Sequence, residues 1–417
     1  MILSNISVPL LGMVDTGVTG HLESSVYLGA VAIGSTIFSF LYFGMNFLRM
    51  GTTGIAAQSY GADDNDGLRV ALGQALIVSL FIAIAILALQ VPIGRIALTL
   101  LGGDAETQTH AATYFSIRVW SAPGTLANFA LLGWFLGLQN ARVPLLIFLT
   151  INITNIVLDL LFVLVLGMKV DGVALASVIA EYSGLLVGGI FAIAALRSRA
   201  GHWPIARLTN LSAYKAFFSV NANLFVRTTT LIFTFAFVTA QGARLGPTIL
   251  AANAVLMNFQ NLTALGLDGL AHAAEAMVGK AVGQKDDKAL RHTVRLTLKW
   301  SLFFATGFTL LYVIAGPLIV RILTDLPDVR ATAMVYFPWV VVLPLISVWC
   351  FLYDGVYVGM TRAREMRNIM LVSTFLVFLP TWYVTQVFGN HGLWFALLAF
   401  LASRGIGMHI GYVRDSR

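Results

Sequence analysis

The sequence predicts an all-α integral membrane protein of about twelve transmembrane helices in two six-helix lobes. Three observations predict it. The chain of 417 residues is 58% hydrophobic and only 11% charged, with a mean hydropathy of +0.84, whereas a soluble domain carries about 25% charged residues. The apolar residues fall in twelve helix-length segments, and strand-type alternation is missing, which excludes a β-barrel. Glycine and arginine spacings in the first half recur in the second at one constant offset.

The segments run over residues 2–18, 27–57, 70–91, 112–138, 143–168 and 172–195, then 215–241, 248–278, 293–320, 331–360, 368–387 and 392–411. The first has roughly 17 residues, the lower limit for a span, and Met1 leads straight into it without a basic lead or a small-residue cleavage site. That shortness suggests that the sequence starts inside its first helix. The one long polar interruption, residues 197–212, holds Arg197, Arg199, His202, Pro204 and Arg207. It divides the chain into a lobe of residues 1–196, a cytoplasmic linker of 197–212 and a second lobe of 213–417. Later basic clusters (Lys280, Lys285, Lys288, Arg291 and Arg295; Arg362, Arg364 and Arg367) fall on the linker's side, and the opposite loops are poor in Lys and Arg. The positive-inside rule places both termini in the cytoplasm. The net charge of +7 sits mostly in these loops, and no basic stripe interleaved with aromatics points to nucleic acid.

Gly133-x3-Gly137-x4-Arg142 recurs as Gly355-x3-Gly359-x4-Arg364, an offset of 222 that Gly61 and Arg69 share with Gly283 and Arg291, and Gly20 with Gly242. This is the mark of a tandem duplication. An even helix count per half gives both copies the same orientation, related by a pseudo-two-fold axis along the membrane normal, with a cleft between them and alternating access as the natural mechanism.

Charged residues inside apolar segments cost about 2.5–3.5 kcal/mol each on insertion scales and mark ion or proton sites. Asp15 lies in the first segment. In the fifth, Asn152, Asn155 and Asp159 are spaced three and four apart, on one helical face. The sixth carries Ser177 and Glu181 one turn apart. Carboxylates with amide and hydroxyl oxygens suit a proton or a hard cation such as Na⁺. Acids clustered in a low dielectric compete for charge, so one can hold a proton near neutral pH. Asn152 reads as a helix–helix hydrogen bonder; Glu181 reads equally as a site residue and as a helix-end residue. The second half offers Asp268, His272, Glu275 and Asp354, with Arg227 able to pair with Asp268 or Asp354. The i, i+4, i+7 spacing of Asp268, His272 and Glu275 does not make a metal site, because no other ligands converge. Cys350 lies in an apolar segment and reads as structural. The chain has no phosphate loop, no H-E-x-x-H and no G-x-S-x-G elbow, so neither direct ATP coupling nor these enzyme classes is expected.

The runs Pro9–Thr16, Gly20-His21-Leu22 and Leu48–Gly54, together with Asn155–Asp159, Ala174–Tyr182 and Tyr353-Asp354-Gly355 through Arg367, resemble the DinF branch of the MATE (multidrug and toxic compound extrusion) family over essentially the whole chain. The resemblance implies a bacterial inner-membrane carrier, not an enzyme, that exports organic, cationic or amphiphilic compounds in exchange for H⁺ or Na⁺. It implies no cofactor, and membrane lipids and small drugs as partners of a monomer. It implies a coupling site at Asp15, Asn155, Asp159 and Ser177; Glu181, Asp268, Glu275 and Asp354 are secondary candidates as acids inside apolar segments. Asp354 matches the tenth-helix acid of the family's NorM branch, while Arg227 stands about where that branch has a glutamate. The rival function is a lipid-linked precursor flippase of the same wider superfamily, which calls for extra helices and a strongly basic cavity.

Overall fold

A computed structural model describes residues 25–415. The first expected segment, with Asp15, lies outside them. All eleven others are helical. The elements are α1 (Ser25–Met45), α2 (Phe47–Gly61), α3 (Asn65–Ala88), α4 (Gln90–Leu101), α5 (Ala105–Arg118), α6 (Ala122–Gly137), α7 (Arg142–Asp159), α8 (Val170–Arg197) and α9 (Ile205–Thr209). They continue as α10 (Lys215–Arg244), α11 (Pro247–Gly283), α12 (Asp287–Leu323), α13 (Pro327–Gly359), α14 (Ala363–Val372), α15 (Leu379–Thr385) and α16 (Asn390–Asp415).

Among the described residues nine helices are long and apolar enough to cross a membrane. α11 falls short of that test because Asn253, Asn258, Gln260, Asp268, His272 and Glu275 dilute its apolar content. The fourth segment is not one helix: it breaks at a 3-10 turn over Val119–Ser121, and Pro123 restarts it near the first turn of α6. The short α4 is an addition that the sequence pattern did not single out. The outward faces carry bare apolar side chains, among them Phe81, Leu100, Ile314 and Val387 at 69%, 80%, 79% and 79% exposure. Surfaces of this kind are at home against lipid chains rather than water.

The chain divides into two compact units, the boundary falling between Phe217 and Phe218. The core of the first gathers Leu68, Leu72, Leu131, Trp134, Phe135, Ile147 and Ile151, with the Trp134 indole N–H donating to the Leu68 carbonyl at 2.9 Å. One edge of it is closed by Arg69, which is 4% exposed. The Arg69 guanidinium donates to the carbonyls of Leu196, Arg199 and Ala200 at 2.9, 2.9 and 3.3 Å, and so satisfies the open C-terminal end of α8.

The duplication written in the sequence is present in the geometry. A Cβ on Gly133 would strike the Arg49 carbonyl, and one on Gly355 would strike the Ala271 carbonyl, 222 residues on from Arg49. Gly137 would meet Thr53 O at 2.9 Å and Ala57 N at 2.8 Å; Gly359 would meet Glu275 O at 2.6 Å and Gly279 N at 2.9 Å, again the same partners moved by 222. Gly94 faces Phe115 as Gly316 faces Phe337. Among the described residues, the four non-glycine positions with positive φ form two pairs at that offset: Asp63 and Lys285 (52° and 54°), Gln139 and Thr361 (60° and 55°). Asp64 and Asp286 then cap the following helices, accepting from Gly67 N and from Lys288 N and Ala289 N. At the exposed N-cap of α5, hydrogen bonds from the Thr107 hydroxyl and amide hold the Asp104 carboxyl below the usual carboxylate range.

These contacts fix where a methyl group is tolerated. Gly133→Ala and Gly355→Ala each push a helix backbone away and should each destabilise the protein by about 1–3 kcal/mol, whereas Gly189→Ala, with open space around its Cβ position, should not. Thermal unfolding in detergent checks this; a stable Gly133→Ala would contradict the packing.

Candidate functional site: two unlike charge clusters

The first unit brings α7 and α8 together along their length. Asn155, Asp159 and Ser177 are 0%, 0% and 2% exposed, and Asn152 is 8% exposed. The Asn155 amide donates to the Ser177 hydroxyl at 3.2 Å. Asp159 stands one turn further along the same face. The α-helix ends at Asp159 and passes into a π-helical segment over Leu160–Val165. In a π turn each N–H reaches back five residues and the helix widens, a rare departure concentrated at functional sites. Here it re-aims the backbone immediately beyond a fully buried carboxylate.

Glu181 belongs to a different set. The Asn128 amide on α6 donates to its carboxylate at 3.0 Å and to its own carbonyl at 2.9 Å. The Arg118 guanidinium, at the break in the fourth segment, lies within electrostatic reach of Glu181 and of Tyr42, while Tyr42 shares a 3.0 Å hydrogen bond with Ser121. Arg118 also sits 5.6 Å over the Phe38 ring. Arg118 thus stands at an internal break of the fourth segment.

The second unit is built around Asp354 on α13. One carboxylate oxygen, Oδ2, accepts from Arg227 on α10 and from Arg404 on α16, the latter at 2.7 Å. The three are 8%, 8% and 4% exposed in the order Asp354, Arg227, Arg404. Asp268 on α11 adds its charge to the surroundings of both arginines. Of the two partners open to Arg227 in the sequence, Asp354 is the one it bonds. Arg404 is the residue that sequence reasoning missed. Its signal was a lone arginine amid the apolar run Leu393–Leu401 and Ile406–Ile410, of the kind already weighed at Arg227. Glu275 is 2% exposed on α11, its carbonyl against Gly359. Cys350 is fully buried and donates to the Ser347 carbonyl at 3.1 Å.

The carboxyl sets do not follow the duplication. At the offset of 222, Asn155, Asp159, Ser177 and Glu181 face Val377, Thr381, Ala399 and Ser403, and Asp354 and Arg404 face Leu132 and Tyr182. The frame is repeated and the charges are not.

A multi-pass helical bundle with unlike buried charge sets in its two halves defines a membrane transporter rather than an enzyme. The family profile MatE matches residues 1–161 and 223–384. The chain belongs to the MatE family of transporters. It is 43% identical to DNA damage-inducible protein F of Escherichia coli over 98% of this chain and 89% of that protein. It is 25% identical to the probable multidrug resistance protein NorM of Acinetobacter baylyi, over 94% and 89% of the two chains. Among solved structures, a MATE transporter in a bent conformation superposes with a TM-score of 0.87 at 17% identity, over 99% and 93% of the chains. A Pyrococcus furiosus transporter of the MOP superfamily, whose binding pocket is described as reversed in polarity and as suggesting a different function, matches with a TM-score of 0.84 at 17% identity, over the same shares. The fold is thus common to members with unlike pockets, and the substrate is a matter of the site.

Proposed function

We propose that the chain is an antiporter of the bacterial inner membrane that exports organic, cationic or amphiphilic compounds in exchange for H⁺ or Na⁺. The coupling ion binds in the first unit, on Asp159 with Asn155 and Ser177, and on Asp15, which enters on the sequence alone. The observation that carries this is the fully buried Asp159 at the point where α7 turns from α to π geometry. A carboxylate so placed gains or loses charge only together with an ion, and the widened turn beside it gives the backbone a second arrangement to move to. Asp354 is a poorer candidate, since two guanidinium groups already occupy one of its oxygens. The multidrug-resistance names of relatives support export of organic compounds. The deciding experiment reconstitutes the protein in liposomes and drives export of a lipophilic cation by a pH gradient and, separately, by a Na⁺ gradient. Export under neither gradient would end the proposal.

Orientation is tested separately. A reporter fused after Arg207 should read as cytoplasmic and one after Lys169 as exterior, from the asymmetry of Lys and Arg between the two sides. Reversed signals from both would turn the protein over in the membrane.

A further inference from the structure

We infer that Glu181 is a second proton-carrying group in the first unit, held in an oxygen-lined cage apart from the Asp159 set and one helical turn from it. This rests on the antiport reading above and names a further station within it. Three observations carry it.

The first is the difference between Glu181 and the other well-held acid. Asp354 takes its hydrogen bonds from two charged guanidinium groups, so its partners are cations. The Glu181 carboxyl takes its hydrogen bond from the neutral amide of Asn128. Arg118 acts on it at longer range, and is shared with Tyr42. A carboxyl whose hydrogen bond comes from a neutral amide is able to take up a proton without breaking a bonded ion pair.

The second is the lining. Asn128 is 2% exposed and Thr125 is 5% exposed, and the Asn128 Oδ1 and Thr125 Oγ1 atoms are buried without a hydrogen-bond partner among the described residues. Thr125 stands within reach of both Glu181 and Tyr42, and Tyr42 leads on to Ser121. The Asn128 Oδ1 is an acceptor that wants a donor, and the Thr125 hydroxyl can both donate and accept. A protonated carboxyl or a bridging water supplies one, and a site with two to four polar partners is what an internal water requires.

The third is continuity. Glu181 follows Ser177 by one turn of α8, on nearly the same face, and Ser177 is the residue bonded to Asn155. Glu181, half-buried, and Asp159, fully buried, therefore lie one turn to either side of the hydrogen-bonded pair Asn155 and Ser177. The groups facing Glu181 from the packed elements are Tyr42 from α1, Arg118 from α5, and Thr125 and Asn128 from α6.

The test begins with the unmodified protein. Dicyclohexylcarbodiimide modifies membrane-buried carboxyl groups only while they hold a proton, and peptide mass spectrometry locates the adduct. Glu181 should be modified and Asp354 should not. An adduct on Asp159 without one on Glu181 overturns the inference, as does protection of Glu181 by Na⁺ at constant pH. In liposomes, Glu181→Gln should go on exporting tetraphenylphosphonium but with about two-fold fewer protons per molecule exported than the wild type, as expected when one of two carboxyls on a relay is lost. An unchanged ratio also overturns it. If Glu181→Gln does not insert, the carbodiimide result on the wild type decides alone. Failure of the antiport reading looks different: the wild type then moves no protons with drug at all.

Discussion

Asp159→Asn should reduce drug-dependent proton movement to the level of protein-free liposomes while leaving insertion and folding intact. Asparagine keeps the shape of the side chain and its ability to accept one hydrogen bond, so the packing around a residue with 0% exposure is preserved. What is lost is the ionisable oxygen, and with it any exchange of charge for a proton or Na⁺. Drug binding in detergent should persist if, as proposed, the substituted group holds the ion rather than the drug. Full coupled transport by the variant, measured with a pH-sensitive dye inside the liposomes, would move the coupling site elsewhere.

Asp354→Asn should behave in the opposite way, with a large loss of stability and little change in coupling. The substitution leaves Arg227 and Arg404 buried with their shared counter-charge removed, and breaking a buried pair from one side costs about 3–5 kcal/mol. The molecules that survive should export with the wild-type number of protons per drug. Because the cost comes from the stranded cations, replacing all three together (Arg227→Met, Asp354→Leu, Arg404→Leu) should restore much of the lost stability, a non-additivity that thermal unfolding reads directly. If Asp354→Asn unfolds at the wild-type temperature, the cluster contributes nothing; if equally expressed Asp354→Asn loses coupling while Asp159→Asn keeps it, the ion binds in the second unit.

Much of the fold was legible because lipid imposes a strong rule on the sequence. Each span must be apolar and long, so eleven expected segments found their helices with ends shifted by a few residues. The exceptions have physical causes. The fourth segment stays largely apolar on both sides of Val119–Ser121, and hydropathy does not register a 3-10 turn. α4 falls almost wholly between the third and fourth segments and was not singled out because it is short for a span. The repeat was legible as glycine spacing because a close backbone approach leaves no room for any other residue, and that constraint survives divergence at Gly133, Gly137, Gly355 and Gly359. The site was legible in part. The face shared by Asn155 and Asp159 follows from helical periodicity, and Ser177 was placed by resemblance before its bond to Asn155 was seen. Glu181's partner Asn128 and Asp354's partner Arg404 were not legible, since each contact spans 50 residues or more and no local spacing announces it.

The repeated frame with unrepeated charges also says something about descent. A half-length ancestor working as a pair of identical chains would have carried every buried ion twice, and a change to one carboxyl would have been a change to both. Joining the two copies in one chain removes that restriction. One half is then free to bury a carboxyl beside an amide and a hydroxyl, and the other to settle its acid between two arginines. Copying Asn155 and Asp159 onto Val377 and Thr381 would run that history backwards, on a scaffold whose backbone contacts already match.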